Sequence, residues 1–104
     1  KKYFLSFDDL LNMPDHLMGM FWKNPELDID SLSKALKGEE QETVDHIVSF
    51  LPSRKQKMYT PVTTPISKKD IEQAQLSIVQ LAKDLAKAGE LNLDDILSEQ
   101  EMIN

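Results

Sequence analysis

Two cations stand at places where a charged side chain can grip a partner. Lys37 sits in Ala35-Leu36-Lys37-Gly38, and Arg54 follows 17 residues later in Pro52-Ser53-Arg54-Lys55-Gln56-Lys57. The first motif reads as the end of a short helix and the second as the start of another. A lysine and an arginine displayed on helix ends can attract carboxylates of another protein. Spacing alone gives only a solvated face, because a lone Lys and Arg seldom amount to more.

No other residue set points to catalysis. His16 and His46 are the only histidines, and they fall in neither H-x-x-x-H nor H-E-x-x-H spacing. They read as surface or boundary histidines. Asp28-Ile29-Asp30 lacks the glycine and the closing glutamate of a calcium loop. No glycine-rich phosphate cradle occurs, and no nucleophile has a recognisable base beside it. The absence of Cys removes disulfides, thiolate catalysis and Cys-based zinc sites. The expectation is an interaction module, not an enzyme, with no cofactor. A small helical enzyme is the reading from another class, and a deep polar pocket with perturbed titratable groups would mark it.

The chain of 104 residues is enough for one small domain with a modest core. Apolar residues make up 40% and charged residues 29%, an ordinary globular composition. The net charge of -6 argues against nucleic acid as the main partner, since phosphate neutralisation needs a basic surface. Glu90, Asp94, Asp95, Glu99 and Glu101 concentrate acid in the last stretch, which carries no base. No apolar run approaches the roughly 18 residues of a membrane span, so no membrane insertion is expected. The chain opens on Lys1-Lys2 without a Met and reads as a fragment of a longer protein.

The elements that position the cations are helical. Ser6 with Asp9 three residues on forms a capping box for a short helix over 7–13. Pro14 opens a second, whose block Leu17, Met18, Met20, Phe21 and Trp22 ends at Asn24-Pro25. That block reads as core, with a greasy partner face as the alternative. Asp28 or Asp30 caps a third helix running to Leu36, with Ile29, Leu32, Ala35 and Leu36 on one face and Gly38 as its stop. A fourth helix spans 40–51, with Val44, Ile47, Val48 and Leu51 inward. Pro52 breaks it, and Ser53 caps a fifth, residues 54–59. Thr60-Pro61-Val62-Thr63-Thr64-Pro65 is a loop. Ser67, with Asp70 three residues on, caps the longest helix, whose stripe is Ile71, Ala74, Ile78, Ala82 and Leu85. Gly89 stops it after about 21 residues, or about 32 Å. A short last helix over 93–102 closes the chain. The fold class is all-α: a compact domain of several short helices and one long one.

The order and spacing of these motifs resemble the C-terminal domain of the bacterial flagellar motor switch protein FliG, which is armadillo-like. Phe7-Asp8-Asp9-Leu10-Leu11 is similar to that family's opening segment. Phe4, Leu5, Ser6 and Phe7 lie where it carries a hinge. Pro65-Ile66 and Asp70-Ile71-Glu72-Gln73-Ala74-Gln75 resemble its entry to the long helix. Ile78-Val79 and the stretch from Leu81 to Glu90 resemble its ending. The resemblance implies a hinge segment 1–6 from a preceding domain and the helical domain 7–90; the acidic C-terminal helix or tail, 91–104, has no clear counterpart in the family.

It further implies a rotor component of the flagellar basal body, at the cytoplasmic face of the bacterial inner membrane. The implied partners are the cytoplasmic loop of the stator protein MotA, the rotor proteins FliM and FliN, and neighbouring FliG subunits. Lys37 and Arg54 fall at two of the family's ridge cations. Ser67 stands at a further basic position, with Lys68 and Lys69 close behind as substitutes. The family's acidic pair should fall near Pro61-Val62, but no acid occurs from Met58 to Ser67. Without those acids the charge pattern has one sign, and one-sign ridges lose part of the complementarity that steers an interface. A divergent paralogue acting in assembly or positioning, without direct stator torque, is therefore the alternative.

Overall fold

A computed structural model describes residues 5–92. Six helices follow one another: α1 Phe7–Leu11, α2 Asp15–Trp22, α3 Ile29–Ala35, α4 Gln41–Ser49, α5 Ser53–Met58 and α6 Lys68–Lys87. No strand occurs among the described residues, so the domain is all-α. The final helix expected over 93–102 lies outside the described residues.

Local chemistry accounts for the starts and stops. Ser6 and Asp9 form the full capping box, with the Ser6 hydroxyl accepting from the Asp9 amide and the Asp9 carboxylate accepting from the Ser6 amide. Asp28, not Asp30, caps α3 by accepting from the Ser31 amide. The Ser67 hydroxyl accepts from the Asp70 amide at the start of α6. Several ends differ from expectation. α1 stops at Leu11, because Asn12 turns its side-chain amide onto the Asp8 carbonyl at 2.8 Å. α4 is shorter at both ends than 40–51. Ser53 is the first residue of α5, not its cap; Pro52 holds the cap position and no side chain closes the turn. After Lys37 the chain turns at Gly38, whose φ of +91° suits a residue without Cβ.

α6, 20 residues and roughly 30 Å long, is the spine. It packs chiefly on α3 and next on α1. Ala74, Ile78, Val79, Ala82 and Leu85 make its buried stripe, while Ile71 is half-buried. Leu32 and Ala35 of α3 are fully buried in the same core. From α2, Phe21 and Trp22 pack edge-to-face with centroids 4.8 Å apart. The Trp22 indole N–H donates to the Met18 sulfur, so the one polar atom of this ring is satisfied inside the core. Met13 and Met18 join them, but Met20 stays exposed. The apolar block of α2 is thus core with one residue left outside.

Candidate functional site

Lys37 follows directly on the end of α3 and is half-buried. Its ammonium donates to the Val62 carbonyl at 3.1 Å. This bond draws the proline-rich loop after α5 over the end of α3. The result is a shallow cleft lined by Leu36, Lys37, Val44, Tyr59 and Val62. Its volume, about 170 Å³, falls below that of ordinary small-molecule sites. Tyr59 is half-buried there, and burial first, then the Asp45 charge, raises its phenol pKa.

Glu39 stands on the rim of the same cleft. Burial first, then the nearby charges of Asp8 and Glu40, raise its carboxyl pKa. Two acids beside a third disfavour its ionised form, so this end of α3 carries a local electrostatic cost at neutral pH.

Arg54 is the second residue of α5 and is exposed. Its neighbour Lys55 is half-buried. The Lys55 ammonium donates to three carbonyls, those of Asn24 at 3.1 Å, Pro25 at 3.2 Å and Leu27 at 3.0 Å. A lysine ammonium has three donors, and here all three are used. Gln56 adds a donation to the Leu51 carbonyl at 2.8 Å. So α5 and its loop are tied to α3 at both ends: by Lys55 just before its N-terminus and by Lys37 just after its C-terminus.

From His46 to Lys69 there is no Asp or Glu, while Arg54, Lys55, Lys57, Lys68 and Lys69 all fall within that stretch. Lys55 is consumed by the fold. Arg54, Lys57, Lys68 and Lys69 are exposed. The excess acid of the molecule lies elsewhere in the chain.

The FliG C-terminal domain model matches residues 1–93 of this chain. The chain belongs to the FliG C-terminal domain family. It is also similar to the flagellar motor switch protein FliG of Bradyrhizobium diazoefficiens, 30% identical over 101 residues. That match covers 94% of this chain and 30% of the length of the relative, so the chain spans under a third of it. No solved structure matches.

Within this FliG C-terminal domain the residues singled out from sequence fall in different settings. Lys37 follows the end of α3 and Arg54 lies in the first turn of α5, as their motifs suggest, but Lys37 is engaged and Arg54 is exposed. Lys68 and Lys69 are the first two residues of α6 and both are exposed. Phe4 lies outside the described residues. Leu5 and Phe7 are buried in the core, and Ser6 between them caps α1. His16 is exposed, and His46 lies 3.6 Å from Asp15 at the surface, edge-on to Phe50.

Lys55 is the residue that sequence reading passes over. Its three acceptors lie 28 to 31 positions away, and no helical periodicity registers such a contact. The one available signal is indirect: a lysine in a short helix directly after a proline break. No described helix is long and apolar enough to cross a membrane.

Proposed function

We propose that this domain is the partner-contacting end of a flagellar rotor component, working by reversible charge contacts and without catalysis. The observation that carries the reading is the set of exposed cations Arg54, Lys68 and Lys69 on a FliG C-terminal domain with no acid between His46 and Lys69. In this reading they meet acidic groups on the cytoplasmic loop of the stator protein MotA, at the cytoplasmic face of the inner membrane. Lys37 contributes its charge from a fixed position. Each exposed contact is worth about 0.2–1 kcal/mol, which suits contacts made and broken repeatedly. FliM, FliN and neighbouring FliG subunits are the other partners of such a rotor. Residues 1–6 join the domain to a preceding one, with Phe4, Leu5, Ser6 and Phe7 as the hinge. Buried Leu5 and Phe7 would anchor that joint in the core.

A second reading is a FliG-like assembly or positioning module that does not drive stators. The absence of the acidic pair near Pro61-Val62 favours it. The two readings part on one experiment: Arg54→Glu with Lys68→Glu in the full-length protein, scored for flagellation and swimming speed. Flagellated cells that are slowed or paralysed support stator contact. Flagellated cells swimming at the parent speed overturn it. Loss of flagella, with the protein still folded, supports the assembly reading.

A further inference from the structure

The chain between α5 and α6 is held by very little. Thr60, Pro61, Thr63, Thr64 and Pro65 are exposed, and Val62 and Ile66 are half-buried. The two prolines bring no N–H. Among the described residues, no main-chain group of 60–66 bonds to another main-chain group. The one side chain that donates to the segment is Lys37, whose ammonium meets the Val62 carbonyl. Its two ends are fixed, because the Tyr59 amide donates to the Lys55 carbonyl and Ser67 caps α6. The segment thus has two anchored ends and a single latch between them. A stretch with so few bonds opens at low free energy while packed helices stay shut.

Leu36, Val44 and Tyr59 line the cleft here, together with Pro61 and Val62 of the segment itself. Leu36 and Val44 are buried. Lifting the segment takes Pro61 and Val62 out of that lining and bares Leu36 and Val44 to water.

The latch is a charge without a counter-charge. Among the described residues, no carboxylate pairs with the Lys37 ammonium. A carboxylate arriving from solvent offers it a full charge where the carbonyl offers a partial one. Glu39 lines the same cleft and repels an acid that enters it. The meeting point is therefore outside the cleft, and the flexible four-carbon stem of lysine lets the ammonium turn outward to reach it.

We propose that residues 60–66 form a flap latched by Lys37, and that a partner's carboxylate opens it by drawing the ammonium off the Val62 carbonyl. This rests on the reading that a partner's acid reaches Lys37. Charge recognition and exposure of Leu36 and Val44 are then one event, and each favours the other to the same degree.

The chain has no cysteine, so one introduced thiol reports on the cleft. Val44→Cys places it beneath the flap, and iodoacetamide, which is uncharged, alkylates it when the flap lifts. Ala82→Cys, in the buried stripe of α6, reads opening of the whole domain. In the 104-residue chain, Val44→Cys should react far faster than Ala82→Cys. Adding Lys37→Met to Val44→Cys should speed it about fivefold, the factor that loss of one ordinary hydrogen bond gives. A hexaglutamate peptide should speed Val44→Cys, whereas sodium chloride of equal ionic strength should not. The peptide should add nothing once Lys37 is replaced, and should leave Ala82→Cys unchanged. If circular dichroism shows Val44→Cys unfolded, Ser33→Cys exchanges a hydroxyl for a thiol in the lining of the same cleft.

Equal rates at Val44→Cys and Ala82→Cys overturn the flap, and an unchanged rate with Lys37→Met overturns the latch. A peptide that leaves Val44→Cys unchanged or slows it has joined Val62 on the ammonium without displacing it, which overturns the proposal. None of these outcomes bears on the swimming test of Arg54 and Lys68, which leaves Lys37 in place.

Discussion

Lys37 reaches across 25 positions of chain to the Val62 carbonyl, 3.1 Å from its ammonium. A side chain that looks from sequence like a displayed charge is therefore also a fastener, holding the loop after α5 against the end of α3. The two roles separate experimentally. Lys37→Met keeps the aliphatic stem and deletes the donor, so it should lower stability by about 1 kcal/mol. In a domain of this size that lowers the unfolding midpoint by roughly 4–8 °C. Arg54→Met should leave the stability within about 0.5 kcal/mol of the parent, because Arg54 is exposed and has no partner among the described residues. Thermal unfolding followed by circular dichroism checks both. A swimming defect of Lys37→Glu would combine a lost charge with a loosened loop, whereas Arg54→Glu reports the charge alone.

Lys55 should be the costlier lysine to remove. Lys55→Met strips donors from three carbonyls at once, two of them partly shielded from water. The expected loss is about 1–3 kcal/mol, since charge-assisted hydrogen bonds exceed neutral ones. Lys55→Arg should not restore it. Three carbonyls converge on one point, which a compact ammonium satisfies and a flat guanidinium fork does not. Urea unfolding of the two variants measures this directly, and an arginine variant as stable as the parent would contradict the geometry.

Glu39 sets a pH dependence. Its carboxyl pKa in the fold lies above the group's ordinary value of 4.5, with burial the largest cause and Asp8 the next. The folded state then holds its proton more tightly than the unfolded chain does. Ionised Glu39 therefore opposes folding at neutral pH, and the opposition fades as pH falls through the raised value toward 4.5. Glu39→Gln should be more stable than the parent at pH 7, and the two should converge near pH 4. Asp8→Asn should shrink the difference at pH 7. Unfolding midpoints across that range decide it, and a difference that widens in acid would reverse the sign of the argument.

Gly38 isolates a backbone effect. A Cβ there meets no atom within 4 Å, so Gly38→Ala introduces no clash. The φ of +91° still disfavours any L side chain, by about 1–2 kcal/mol. Denaturant unfolding should show that loss with an unchanged m-value. A Gly38→Ala variant as stable as the parent would mean that the turn after Lys37 relaxes.

The helical order was legible because its signals are local. Ser6 with Asp9 and Ser67 with Asp70 announce α1 and α6 within four residues, and the period of Ile78, Ala82 and Leu85 marks the buried stripe. Ends were less so. Asn12 and Ser53 compete for or vacate cap positions through contacts of a single hydrogen bond, which residue type alone does not rank. The division of labour among the cations was not legible at all. Lys37 and Lys55 are absorbed by carbonyls 25 or more positions away, while Arg54, Lys68 and Lys69 remain outside. Only the folded chain sorts fasteners from displayed charges, because the acceptors are main-chain oxygens that every residue carries.

The double tie between α5 and α3 also has a mechanical meaning. A sideways pull on Arg54 loads the Lys55 strap toward Leu27 and, through the loop, the Lys37 strap beyond Leu36. Both anchor points flank the helix most closely packed against α6. Force applied at Arg54 would thus be shared between two fixings on the most closely packed helix pair of the described residues, in place of peeling a short helix from one end.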